Sequence, residues 1–202
     1  GYSINLTNPI NKNIEYFYKL LQDKKLYINF EEKQSVVNTV HNGQDKFIIE
    51  ALWSGIQGTK VSELINLKAK DIDFEKKRVR ISDERVKGVR VISFPQDETS
   101  FFDTARLAIG EKIYKKNNGK EIKTVDSSII PDTLEIEKAP FVLRSTITNT
   151  KGGNIKAGQM SHYTVYNRID MIRGLEEFED YVDALTTKNI VRSGMIHMAL
   201  RI

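Results

Sequence analysis

The sequence predicts a mainly α-helical domain that carries one small antiparallel β-sheet. Apolar residues recur at helical spacing in several segments, among them Ile14, Phe17, Leu20 and Leu21, and later Val165, Ile169 and Ile172. The period drops to two at only two places, residues 78–81 and 89–92, and the polar group Asp83, Glu84, Lys87 and Gly88 connects them as a hairpin with basic residues on one face. At 202 residues without a cysteine, the chain is long enough to bury a core and has no disulfide staple.

The elements follow in order. Asn8 before Pro9 starts a helix over residues 9–25, and a second runs over residues 30–40. Asn42-Gly43 breaks the chain before a strongly apolar helix over residues 45–53, and Gly55 and Gly58 bracket a helix-to-helix turn. A helix over residues 62–70 points Leu64, Ile65 and Leu67 inward, with Asp71-Ile72-Asp73 as its exit. After the hairpin come a helix over residues 99–114 and an exposed, mobile loop over 115–123. Pro131-Asp132 marks a turn, and residues 139–143 form a short buried strand. A polar loop over 146–158 leads to Ser161, the N-cap of the next helix. An acidic stretch with Glu176, Glu177, Glu179 and Asp180 precedes a final helix over residues 187–200.

Charge narrows the partners. The net charge of +4 is modest, but its excess sits in two blocks: residues 60–92 hold ten basic and six acidic side chains, and residues 141–173 hold five and one. Such clustering favours a nucleic-acid partner over general stickiness. The apolar runs fall far short of the roughly 18 residues that cross a bilayer, so no membrane role and a cytoplasmic, nucleoid-associated location in a bacterial cell are expected. Because the chain opens on Gly1, further sequence is expected beyond its ends.

Other chemistries lack their residues. Gly153 and Gly158 flank a loop that resembles a phosphate cradle, but Gln159 and Met160 follow where Lys and Ser/Thr would be required. His41, His162 and His197 have no metal-ligand spacing, and no GxSxG elbow supports a Ser/His/Asp hydrolase. No metal and no cofactor are expected.

One stretch carries a specific resemblance. Gly58, Thr59, Lys60, Val61, Ser62, Glu63 and Leu64, continued by Leu67, Asp71, Ile72 and Asp73, follow the opening signature of the tyrosine recombinase (integrase) catalytic domain, with Lys60 at the place of the catalytic arginine. Residues 186–193, Thr-Thr-Lys-Asn-Ile-Val-Arg-Ser, resemble the family's second box, with Lys188 in place of its first histidine and Val191 in place of its second arginine. Lys87 falls in the connection where active members carry a hairpin lysine.

What the resemblance implies is a recombinase fold without recombination. Paired guanidiniums clamp the scissile phosphate in bidentate fashion; lysine keeps a charge without the fork, and valine supplies none. Removing one such donor typically costs about 10²- to 10³-fold in rate. The last tyrosine, Tyr181, precedes the second box, so no nucleophile is expected in this chain and the enzyme reading is negative. The segments around Lys60 and Val191 are most similar to the phage master repressors of the SPbeta type. That likeness implies a sequence-specific double-stranded DNA-binding repressor that maintains phage lysogeny. The alternative is an active integrase whose tyrosine lies outside this chain.

The expected organisation is residues 1–29 as a linker or tail of an N-terminal helical domain, and residues 30–202 as the integrase-like DNA-binding domain, truncated at its C-terminus. The candidate DNA-contacting residues are Lys60, Lys87, Arg90, Arg144, Lys151, Lys156, Arg168, Lys188 and Arg192 on a basic concave face, with Tyr163 and Asn167 placed to approach base edges. The expected partners are operator DNA and a protein regulator or a second copy.

Overall fold

A computed structural model describes residues 24–83, 88–119, 122–123, 129–130, 132–147 and 157–200. Residues 9–23 of the expected helix over 9–25, the hairpin tip with Lys87, and the loop lysines Lys151 and Lys156 lie outside the described residues, and residues 24–25 are not helical. Within them the fold is mainly helical with small antiparallel sheets, as the sequence predicts.

Helix α1 spans Phe30–Thr39 and opens on a capping box: Asn29 Oδ1 accepts from the Glu32 amide, and Glu32 accepts in return from the Asn29 amide. Helix α2, Gly43–Trp53, is the centre of the domain; every residue in it except Lys46 is buried. Helix α4, Ser100–Gly110, and helix α6, Thr187–Ala199, pack against it together with α1. Two aromatic residues of α4, Phe101 and Phe102, are wholly buried and cluster with Phe47, Phe74 and Phe94. The α6 contact is closer than ordinary helix packing. A Cβ on Gly194 would lie 1.9 Å from the Trp53 carbonyl oxygen, so only glycine fits there.

Helix α3, Ser62–Asn66, is shorter than the helix predicted over 62–70. The reason is competition for its backbone: the Leu67 carbonyl accepts from the Val142 amide, the Ala69 amide donates to the Pro140 carbonyl, and Lys68 bridges Phe141. Residues 139–143, predicted as a buried strand, supply that partner, and Phe141, Val142 and Leu143 are buried. The pairing is one isolated bridge and extends into no named strand.

Ile72–Asp73, expected to be a helix exit, forms strand β1 and pairs with β2, Arg78–Asp83, which pairs in turn with β3, Gly88–Ser93. Pleating divides the faces of β2. Val79 and Ile81 are 0% and 2% exposed against the core, whereas Arg78 and Arg80 point to solvent on the other side. The helix expected over 99–114 ends four residues early. Tyr114 belongs instead to β4, Ile113–Lys115, whose partner is β7, Thr133–Glu135. Residues 116–119 make a tight turn with Asn117 and Asn118 at φ 50° and 54°, where the Asn118 side chain accepts from the His41 amide. The described part of the expected mobile loop is therefore tied to the body of the domain. Ile122–Lys123 (β5) pairs with Ile129–Ile130 (β6). Helix α5 spans His162–Arg173 and begins at the predicted N-cap, where Ser161 Oγ accepts from the Thr164 amide at 3.0 Å.

Candidate nucleic-acid interface

The turn that carries Lys60 is built by its neighbours. At φ 65° Gly58 has no room for a side chain, since a Cβ would fall 2.6 Å from Ser62 Oγ and 2.9 Å from the Glu63 amide nitrogen. Lys60 and Val61 then take left-handed conformations, φ 54° and 52°, which a β-branched residue rarely adopts. Val61 is held there by burial, 1% exposed. Its neighbour Lys60 is turned outward, fixed in backbone and free in side chain.

Glu63 ties this turn to the hairpin. Its carboxylate accepts from the Gln57 amide at 3.1 Å and grips Arg90 bidentately, at 3.1 Å to Nε and 2.7 Å to Nη2. Arg90 also donates to the Gly55 carbonyl at 2.8 Å. The sequence places Arg90 among the DNA contacts; its guanidinium is engaged in bracing, with the side chain still 47% exposed. On the other side Gln159 donates to the Ile65 carbonyl and to Asn66 Oδ1, both at 2.9 Å, and so holds the start of α5 beside α3. The Lys60 turn rests against α5. Tyr163, 69% exposed, and Asn167 stand four residues apart on the outer face of that helix.

Along α6, Lys188 and Arg192 share an exposed face at the same spacing. Thr186 caps the helix by accepting from the Asn189 amide at 3.2 Å. Val191 is half-buried and packs against the core.

Two predicted contacts turn inward and are corrected. Arg168 is 3% exposed: Nη1 donates to Asp45 at 3.0 Å, and the guanidinium lies 4.0 Å from the Tyr114 ring centroid. Arg144 is 9% exposed, and its Nη2 donates to the carbonyls of Ala108, Ile109 and Glu111, where α4 ends. Capping a helix C-terminus is a structural use of a cation. Neither arginine has a local mark of burial, because the partners, Asp45 and the end of α4, are far away in sequence.

The same interior region holds Glu111, whose two carboxylate oxygens accept from the Gly43 and Gln44 amides at 2.9 Å each. Burial pushes its carboxyl above the ordinary 4.5 although these two amides oppose the shift. Burial likewise raises Asp45, against the pull of Arg168, and raises Tyr114, where the Asp45 charge adds to the effect. A raised folded-state value means that ionising Glu111 costs stability as pH rises from 4.5 through the folded value. Glu111→Gln should therefore lose the fall in that window. Urea midpoints of both proteins measured across it check the difference: wild type should decline relative to the variant as pH rises.

Among the described residues no group of three or more His, Cys, Asp or Glu side chains is arranged for a metal, and no helix is long and apolar enough to cross a membrane. The arrangement offers outward cations on a rigid turn and on α6, with polar and aromatic side chains on α5.

Residues 27–202 match the family described as MrpR, C-terminal catalytic domain. The chain belongs to the MrpR C-terminal catalytic domain family. This is a tyrosine recombinase-like domain, of a kind that generally binds DNA. An SPbeta prophage-derived uncharacterized protein, YopR of Bacillus subtilis (strain 168), is 27% identical over 201 residues, which cover 98% of this chain and 56% of that protein. The chain thus spans little more than half of its curated relative. An MrpR-type domain with a prophage-derived relative fits a phage-related, DNA-associated role.

Proposed function

We propose that this protein is a sequence-specific, double-stranded DNA-binding repressor that maintains phage lysogeny and does not cut the DNA it holds. The observation that carries this reading is position 191. In a recombinase a second guanidinium must reach the phosphate, and here an apolar side chain packs into the core. Lys60 keeps a cation at the first arginine's place without its bidentate fork. Lys60, Lys188 and Arg192 contact phosphates, and Tyr163 and Asn167 approach base edges. The family's description as a catalytic domain favours a second reading, an active integrase.

Trapping of the full-length protein with a suicide duplex separates the two, because the alternative places the nucleophilic tyrosine outside this chain. The repressor reading expects duplexes from the encoding genome to be retarded with no covalent protein-DNA adduct; an adduct overturns it. Lys60→Gln should weaken binding uniformly across sequences and lower the slope of log K against log salt by about one. An unchanged slope would remove Lys60 from the interface.

A further inference from the structure

Two charged surfaces remain outside the proposed DNA interface. The first is the solvent face of the three-stranded sheet, where Lys70, Lys76, Arg78 and Arg80 line one shallow depression with Asp71, Asp73 and Val91. Both aspartates are already used: Asp71 accepts from the Lys68 amide, and Asp73 from the Glu75 and Lys76 amides. None of the four cations has an ion-pair or hydrogen-bonding partner for its side chain among the described residues. Beside them Val89 and Val91, 51% and 59% exposed, form an apolar strip on the same face, since Val91 stands opposite Arg80 in the ladder. This face lies across the sheet from Arg90, which pairs with core-facing Ile81 and reaches toward the Lys60 turn.

The second is the helical turn Glu176–Tyr181, which leads from α5 toward α6. Phe178 is fully buried and anchors it, so Glu176, Glu177, Glu179 and Asp180 are presented outward from a fixed base. These four carboxylates likewise have no ion-pair partner among the described residues. Four unpaired cations and four unpaired anions thus stand on separate elements of one chain.

We infer that the sheet face of one copy receives the acidic turn of a second copy, in a head-to-tail contact between chains. A duplex is a poorer occupant, because Asp71 and Asp73 stand among the cations and the valine strip offers phosphates nothing. Contacts of this kind are heterologous, so a pair keeps one free surface of each sign and further copies can add. Because the contact avoids the Lys60 turn and α5, it leaves the proposed DNA interface open.

Sedimentation velocity of the 202-residue chain over rising concentration tests this. Wild type should associate at low salt and become monomeric near 1 M, where the screening length is about 3 Å. Arg78→Glu/Arg80→Glu and Glu176→Lys/Glu179→Lys, each confirmed folded by thermal melting, should each lower self-association at least about a hundredfold. Mixing the two charge-reversed proteins should restore association, because the first keeps its acidic turn and the second its sheet face; a loss of association caused by general damage to the fold would not be rescued in this way. Wild type that stays monomeric at low salt up to millimolar concentration, or variants that associate like wild type, overturns the inference. So does a mixture that fails to associate. If Arg78→Glu/Arg80→Glu instead lowers the salt slope of DNA binding and leaves self-association unchanged, the face takes DNA. Operator binding by wild type, measured separately, reports on the repressor reading whatever the sedimentation shows.

Discussion

Gly194→Ala should destabilise the domain by about 3 kcal/mol or more, among the largest effects of any single methyl group in this protein. Alanine ordinarily helps a helix by about 1 kcal/mol relative to glycine. Here the added carbon would fall 1.9 Å from the Trp53 carbonyl oxygen, less than the sum of van der Waals radii by more than an ångström. The obstacle is backbone at the end of α2, so no side-chain rotation relieves it, and α6 must move away from the centre of the core. That movement also strains the neighbouring attachment, in which Ser193 Oγ accepts from the Ile28 amide at 3.1 Å and donates to the Asn189 carbonyl at 2.7 Å. Urea unfolding gives the measurement. A variant as stable as wild type would mean that α6 docks less closely than described. Because α6 also carries Lys188 and Arg192, DNA affinity should fall with stability in this variant.

The contrast between what the sequence reveals and what it hides follows from range. Caps and turns are local, so Ser161, Gly58 and the two alternating strands are legible from neighbouring residues. The opening signature likewise places Lys60 on an exposed turn, because Gly58, Val61 and Glu63 that fix it are within a few positions. The end of α3 is not legible: Pro140 and Val142, which take over its backbone, arrive from more than seventy residues away. The same holds for the arginines. A surface arginine and a buried one look alike until the carboxylate or carbonyl that receives them is known, and Asp45 precedes Arg168 by 123 positions. The alternation identifies both strands, but the expectation that their basic residues share one face fails: Arg90 stands opposite Ile81, on the other side of the sheet from Arg78 and Arg80, because the register of the pairing is not legible from the period of either strand.

Arg168→Met separates the two uses of a cation in this fold. Arg168 and Asp45 are 3% and 5% exposed and 3.0 Å apart, and Asn42 donates to the other Asp45 oxygen at 3.0 Å. Removing the guanidinium leaves Asp45 buried with an uncompensated charge, which typically costs about 3–5 kcal/mol. Desolvation already raises Asp45, and without Arg168 the carboxyl rises further. The loss should therefore shrink as pH is lowered and Asp45 takes up its proton, and grow as pH rises through the shifted value. Asp45→Asn in the same chain should recover much of the lost stability, because it removes the charge that Arg168 serves. Stability of the four proteins, measured by urea unfolding at acid and neutral pH, gives the coupling. DNA binding gives the converse result. Conditions that keep Arg168→Met folded should leave the salt slope unchanged, whereas Lys60→Gln, on an exposed turn, should lower the slope and leave the unfolding midpoint nearly unmoved. A lowered slope for Arg168→Met would return that residue to the DNA interface and overturn its assignment to the interior.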